Sequence, residues 1–142
     1  MPNSVKVQDH MQRKPVVVDP DASIFEAIHV ILANKVSGVC VVEQGNIVGV
    51  LSELDCLRAI LSNTYYEGSA GTVREFMIED MQFVKPDDDI IDVAKDMFDK
   101  KQRRRPVLKD GKLVGLLTCR QILRAVKEFS MPVQRDEYGG KE

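Results

Sequence analysis

An α/β fold of two tandem β-α-β-β-α repeats, related by a pseudo-two-fold axis, is what this sequence predicts. Residues Val7 to Ile60 recur as Val73 to Val126 at an offset of 66 with no gap, and 15 of the 54 aligned pairs are identical. Chance would give roughly three, at about 6% identity for ordinary composition. The shared pairs fall at turn-setting and packing positions: Met11/Met77, Pro20/Pro86, Ile24/Ile90, Gly45/Gly111 and Gly49/Gly115. Within each copy the apolar residues change from helical to strand spacing in the same order. A chain of 142 residues can bury a substantial core, but a copy of under 60 residues cannot bury much alone. The two copies are therefore expected to share one core.

Each element of the first copy has a local cause. Pro15 to Val18 reads as a short extended segment. Pro20-Asp21-Ala22-Ser23 marks a turn and a helix start, with Ser23 and Glu26 spaced for a capping box. Ile24, Ala27, Ile28, Ile31 and Leu32 follow as one apolar stripe. Val39 to Val42 and Ile47 to Leu51 are apolar runs on either side of the turn Gln44-Gly45, so they read as a hairpin. A second helix begins at Ser52 and carries Leu54, Leu57, Ile60 and Leu61.

The second copy repeats the pattern. Phe83-Val84 is extended, and Pro86-Asp87-Asp88-Asp89 opens a helix bearing Ile90, Val93, Ala94, Met97 and Phe98. Acidic charge there complements the helix dipole. Asp110-Gly111 turns a hairpin between Pro106-Val107-Leu108 and Leu113 to Leu117, and Thr118 opens the last helix through Val126. The expected boundaries are 5–63 for repeat one, 64–71 for a Gly/Ser linker and 72–128 for repeat two. Residues 129–142 form a polar tail expected to be disordered.

Composition narrows the function class. At 44% hydrophobic and 30% charged residues, the chain is that of a globular protein. No apolar run reaches membrane-spanning length and no signal peptide opens the sequence, so a cytoplasmic protein without membrane contact is expected. Cys40, Cys56 and Cys119 are isolated, without metal spacing, and fit reduced thiols. A net charge of −2 argues against broad nucleic-acid binding without excluding a local basic patch. His10 and His29 form no catalytic set, no phosphate-loop motif is present, and Asp92, Asp96 and Asp99 read as a solvated face. No enzyme or metal site is expected.

The combination resembles a tandem pair of CBS domains, a Bateman module. It is carried by Met11, Pro20-Asp21-x-Ser23-Ile24-x-Glu26-Ala27 and Gly49-Val50-Leu51-Ser52-x-x-Asp55. The second copy supplies Met77, Pro86-Asp87, Arg105-Pro106-Val107-Leu108 and Gly115-Leu116-Leu117-Thr118. The resemblance covers about residues 5–128. It implies two clefts between the repeats and regulatory sensing of an adenosine nucleotide. AMP, ADP or ATP are the usual ligands, and S-adenosylmethionine or NAD the less usual. It also implies a homodimer, joined through helix faces, and an effector protein whose identity the sequence does not give.

Candidate residues follow from that resemblance. In similar domains the aspartate of Ser/Thr-x-x-Asp holds the ribose, which assigns that role to Asp55 and a ribose or phosphate contact to Ser52, beside a helix N-terminus that favours anions. Simple helix capping is the competing reading, and the two can coexist. The second copy reads Thr118-x-x-Gln121, which lacks the charge, so a second site of Thr118, Gln121 and Pro106 is expected to be weak. Lys100-Lys101-Gln102-Arg103-Arg104-Arg105 stands where copy one has Ser37, Gly38 and Val39 opposite the arginines. By the resemblance, Arg103, Arg104 and Arg120 reach the phosphate of the nucleotide held by Asp55. A solvated basic face and a nucleic-acid patch remain open for the same run. Lys14, Pro15 and Val16, with Gly38, Val39 and Cys40, are the implied walls of the adenine slot. A protein-interaction subunit with vestigial clefts is the remaining alternative.

Overall fold

The computed structural model describes residues 4–63 and 70–130. Two three-stranded sheets with helices packed on them make up the fold. In the first copy β2 (Val17–Val18) runs parallel to β3 (Gly38–Glu43), and β3 pairs antiparallel with β4 (Asn46–Ser52). Helix α1 (Ile24–Asn34) joins β2 to β3, and α2 (Glu53–Asn63) follows β4. In the second copy α4 (Ile90–Lys100) precedes the hairpin of β5 (Arg104–Lys109) and β6 (Lys112–Thr118), and α5 (Cys119–Ser130) closes the described chain. The predicted polar tail beyond Ser130, and most of the linker, lie outside the described residues.

Local chemistry sets these elements. Ser23 Oγ accepts the Glu26 amide at 3.0 Å while Glu26 Oε1 accepts the Ser23 amide at 2.8 Å, so the capping box forms. Such a cap contributes about 1 kcal/mol. In α4, Asp89 is the cap, accepting the Ile91 amide at 2.7 Å. Both helices end on a lysine in the left-handed region, Lys35 and Lys101. Gln44-Gly45 and Asp110-Gly111 both take positive φ, the turn chemistry that lets two residues connect twisted strands. Phe83-Val84 is reduced to one bridge, Val84 to Val107.

The principal departure from expectation is where each copy's leading segment goes. Strand β1 (Gln12–Arg13) belongs to the first copy but pairs with β6 of the second, Gln12 opposite Leu116. The reciprocal bridge joins Ile78 to Val50 in the first sheet. Short helix α3 (Val73–Phe76) is capped by Thr72 and Glu75, and its Val73 is buried in the first copy's core; Val7 is buried in the second's. Met11 lies over Gly115 and Met77 over Gly49, so each glycine accommodates a side chain from the opposite copy. The expectation of one shared core is thus corrected. There are two cores, one around Ile24, Ile31, Val39 and Leu51, the other around Ile90, Met97, Val107 and Leu117. The copies are held together by exchanged segments.

The helix stripes also differ from expectation. On α2, Cys56 and Ala59 are buried while Leu54, Leu57 and Leu61 are 68%, 53% and 69% exposed. Leu32 and Phe98, read as ends of buried stripes, are exposed as well. Small residues face the sheet because they let the helix approach it closely, and the bulky ones are left outside.

Candidate functional site

Two clefts open between the copies, and the segment exchange decides what lines each. The larger, of about 800 Å³, takes Ser52, Glu53 and Asp55 from the first copy. It takes Ile78, Asp80, Met81 and Gln82 from the second copy's leading segment, and Lys101, Arg103 and Arg104 from the approach to β5. Pro106, Thr118, Cys119 and Arg120 complete it. Its volume lies in the range of small-molecule sites. The second cleft, of about 700 Å³, is lined by Gln12, Lys35, Val36, Ser37 and Gly38 with Thr118, Arg120 and Gln121.

Asp55 sits at the start of α2 with most of its side chain covered. Its Oδ2 accepts the Ser52 backbone N–H at 2.8 Å and the Ser52 hydroxyl at 2.9 Å. Its Oδ1 accepts Arg58 Nη2 at 3.2 Å, and Arg58 also donates to the Phe76 carbonyl at 3.1 Å and lies over the Phe76 ring. The capping reading therefore holds for Asp55. Of roughly four acceptor sites on a carboxylate, three are in use. Gln121 reproduces the same cap without charge, accepting the Thr118 amide at 2.8 Å and hydroxyl at 2.7 Å.

The basic run divides by partner. Arg105 is 4% exposed; its Nη2 donates to Asp96 at 2.6 Å and its Nε to Gln102 at 2.9 Å. Lys100 pairs with the same Asp96 at 3.1 Å. Together they hold the Asp96 carboxyl below its ordinary range, the Arg105 hydrogen bond foremost. Asp96 is thus the counter-ion of the run, which corrects its reading as part of a solvated face. Lys101, Arg103 and Arg104 remain toward the cleft.

Arg104 is the unusual one. It is half-buried, and its Nη2 donates to Ser37 Oγ at 3.0 Å. Its Nε is buried with no hydrogen-bond partner among the described residues. The guanidinium presses on Gly38, where an added Cβ would stand 2.9 Å from its Cζ. Burial pulls its pKa below the ordinary value, and the nearby Asp55 carboxylate partly restores it. A half-buried guanidinium with an unspent N–H has the chemistry to accept an anion.

The structure brings together Ser52, Asp55, Arg103, Arg104, Arg120, Thr118 and Pro106 in the larger cleft. Pro106, assigned to the second site from sequence, lies here, while Gln121 and Gly38 line the other cleft. Lys14, Pro15, Val16, Val39 and Cys40 line neither cleft, and Val39 and Cys40 are fully buried. Burial pushes the Cys40 thiol up to about 12, as a core position would. The walls beside Asp55 come instead from the equivalent residues of copy two, Asp80, Met81, Gln82 and Pro106. Only the segment exchange could have revealed this, and the 66-residue offset names the residues once it is known. Among the described residues there is no cluster able to hold a metal and no helix long and apolar enough to cross a membrane.

The CBS domain family model matches residues 7–62 and 73–128, both copies. Inosine-5'-monophosphate dehydrogenase of Aquifex aeolicus is 34% identical over 125 residues, which is 86% of this chain and 24% of the dehydrogenase. Zinc metalloprotease MJ0392 of Methanocaldococcus jannaschii is 34% identical over 123 residues, 87% of this chain and 32% of the protease. The chain thus spans a quarter to a third of these curated relatives. Among solved structures, CBSX2 in complex with AMP is 28% identical with a TM-score of 0.77, covering 89% of this chain and 98% of that one. The CBS domain pair of MJ0100, crystallised with 5'-methylthioadenosine and S-adenosyl-L-methionine, shares the fold at a TM-score of 0.79, with 23% identity over 87% of this chain and 97% of that one.

Proposed function

The chain belongs to the CBS domain family as a tandem pair, and on that premise we propose that it is a non-catalytic regulatory module that binds AMP, ADP or ATP in the larger cleft. One observation carries the reading: the cleft sets Asp55 of the first copy against Lys101, Arg103, Arg104 and Arg120 of the second. A carboxylate suits a ribose diol, and arginine forks suit phosphate oxygens. CBSX2, a relative of similar fold, was crystallised with AMP. Val50, Ile78, Met81 and Pro106 supply apolar surface for a purine, with Asp80 and Gln82 as polar groups at its edge. A ribose diol needs two acceptor sites on Asp55, so the Ser52 hydroxyl, now donating to that carboxylate, turns away when the nucleotide enters. S-adenosylmethionine and NAD share the adenosine half and are the competing ligands.

A ligand held by Asp55 on one side and the arginines on the other bridges the copies and favours one relative orientation. It shifts that equilibrium only by its differential affinity for the two orientations. The output surface is the exposed apolar side of the helices. Leu57 of α2 and Leu123 of α5 stand at equivalent positions, 53% and 68% exposed, as do Leu32 of α1 and Phe98 of α4, at 66% and 83%. A second copy of the chain, or an effector protein, covers these faces. The nucleic-acid reading of the basic run is weakened because Lys100 and Arg105 are spent on Asp96.

Thermal unfolding with AMP, ADP, ATP, S-adenosylmethionine and NADH tests the reading. A ligand at about 100 times its Kd stabilises by roughly 2.7 kcal/mol, or about 10 °C in a domain of this size. A shift by a nucleotide that is lost in Asp55→Ala supports the site. No shift with any of the five, on protein shown to be free of carried-over ligand, sinks it and leaves the interaction-subunit reading.

A further inference from the structure

The two clefts are not independent spaces. Ser37, Glu53, Arg104, Thr118 and Arg120 line both. Arg104 is the residue on which this matters. It comes from the second copy and faces Asp55, yet its guanidinium rests on Gly38 and donates to Ser37, both in the second cleft. The second cleft has little phosphate-binding charge of its own. Ser37 and Gly38 line it at the sequence positions equivalent to Arg103 and Arg104. Lys35 is its own-copy cation, and any guanidinium it offers is borrowed.

We infer that the two clefts are antagonistic, because among the described residues Arg104 is the one half-buried guanidinium that lines both, so a phosphate bound in either withdraws it from the other. The inference rests on the nucleotide reading of the larger cleft and adds its regulation. In the structure Arg104 rests on Ser37 and Gly38, and its Nε has no hydrogen-bond partner among the described residues. A phosphate beside Asp55 takes the Nε and an Nη together as a bidentate fork, and the Ser37 bond is released. The second cleft then loses its half-buried guanidinium, keeps only Lys35 and the exposed Arg120 for a phosphate, and faces the negative charge already bound. The reverse order obeys the same linkage, since the coupling between two binding events is reciprocal. An uncharged nucleoside makes no call on Arg104 and escapes the antagonism.

Single occupancy could also arise trivially from Gln121, so the test first repairs that position. Calorimetric titration with AMP is run on the unaltered protein, on Gln121→Asp, and on Asp55→Gln/Gln121→Asp, each with and without Arg104→Met. The unaltered protein is expected to bind one AMP per chain. Asp55→Gln/Gln121→Asp is expected to bind one AMP, now in the second cleft. Gln121→Asp, with both acceptors in place, is expected to bind a second AMP at least 10-fold more weakly than that doubly substituted chain binds its one. Arg104→Met is expected to weaken both sites and remove the 10-fold difference. Two equal sites in Gln121→Asp, no AMP binding by Asp55→Gln/Gln121→Asp, or a difference that survives Arg104→Met each overturn the inference. Failure of the unaltered protein to bind AMP removes the nucleotide reading itself, and the antagonism with it.

Discussion

Asp55 caps α2 and, in the proposed function, also holds the ribose; the internal repeat supplies the substitution that separates the two roles. Asp55→Ala deletes the acceptor of the Ser52 amide at 2.8 Å, the Ser52 hydroxyl at 2.9 Å and Arg58 Nη2 at 3.2 Å. The lost cap costs about 1–2 kcal/mol. In a domain of this size that lowers Tm by roughly 3–6 °C. Asp55→Gln copies position 121, where a neutral side chain accepts the Thr118 amide and hydroxyl at 2.8 and 2.7 Å. Its cost is therefore expected to stay below about 1 kcal/mol. Both variants lose the charge-assisted hydrogen bonds to a ribose, about 1.5–3 kcal/mol, or roughly 10- to 150-fold in Kd. Differential scanning calorimetry reads the first effect and titration calorimetry with AMP the second. The expected pattern is a destabilised chain that binds AMP roughly 10- to 150-fold more weakly for Ala, and one of near-normal stability with the same weakened binding for Gln. Asp55→Gln binding AMP as tightly as the unaltered protein would mean that the carboxylate charge has no part in recognition, and the ribose role of Asp55 would fall.

Three further outcomes are expected. Gly115→Ala drives a Cβ into Met11 Sδ and to 3.0 Å from the Gln12 carbonyl; Gly49→Ala meets Met77 Sδ at 2.8 Å and the Ile78 carbonyl at 3.1 Å. Each is expected to cost about 1–3 kcal/mol in urea unfolding, and a neutral result would mean that the exchanged segments do not pack as described. Burial pushes the Cys40 thiol from 9.0 up to about 12, so the unfolded chain loses this proton first. Stability from this group is full below about pH 9 and falls by about 1.4 kcal/mol per pH unit above it. Cys56, raised also by burial, adds in the same direction. Urea unfolding of Cys40→Ala between pH 8 and 10 is expected to give a shallower alkaline loss, and an unchanged slope would count against the buried thiol. Cys119 is the exposed cysteine of the three and lies in the wall of the Asp55 cleft. Reaction with a disulfide reagent is expected to modify it first, and saturating AMP to slow that at least 10-fold. Equal rates with and without AMP would place the nucleotide elsewhere.

The repeat made most of the fold legible. The helix caps at Ser23 and Asp89 and the turns at Gly45 and Gly111 are local rules, readable within a few residues of sequence. The pairing of Gln12 with Leu116 is not, because nothing near Gln12 states which of two similar hairpins it will join. That one ambiguity is why Asp80, Met81 and Gln82 line the cleft beside Asp55, while their equivalents Lys14, Pro15 and Val16, expected there from the sequence, line neither cleft. The helix stripes failed for another reason. Leu54, Leu57 and Leu61 fit helical spacing as well as Cys56 and Ala59 do, and periodicity finds an apolar stripe without saying whether the sheet or another molecule covers it. The division of the basic run was hidden too, because Asp96 reaches Arg105 across nine residues and a turn.

In the proposed function, one cleft joins a ribose acceptor from the first copy to phosphate donors from the second. A crystal structure of the protein grown with AMP tests it most directly. Ribose hydroxyls are expected within hydrogen-bonding distance of Asp55, and the phosphate on Arg104 with its Ser37 bond released. A nucleotide seated only against Gln121, or one whose phosphate points away from Arg103 and Arg104, would contradict it.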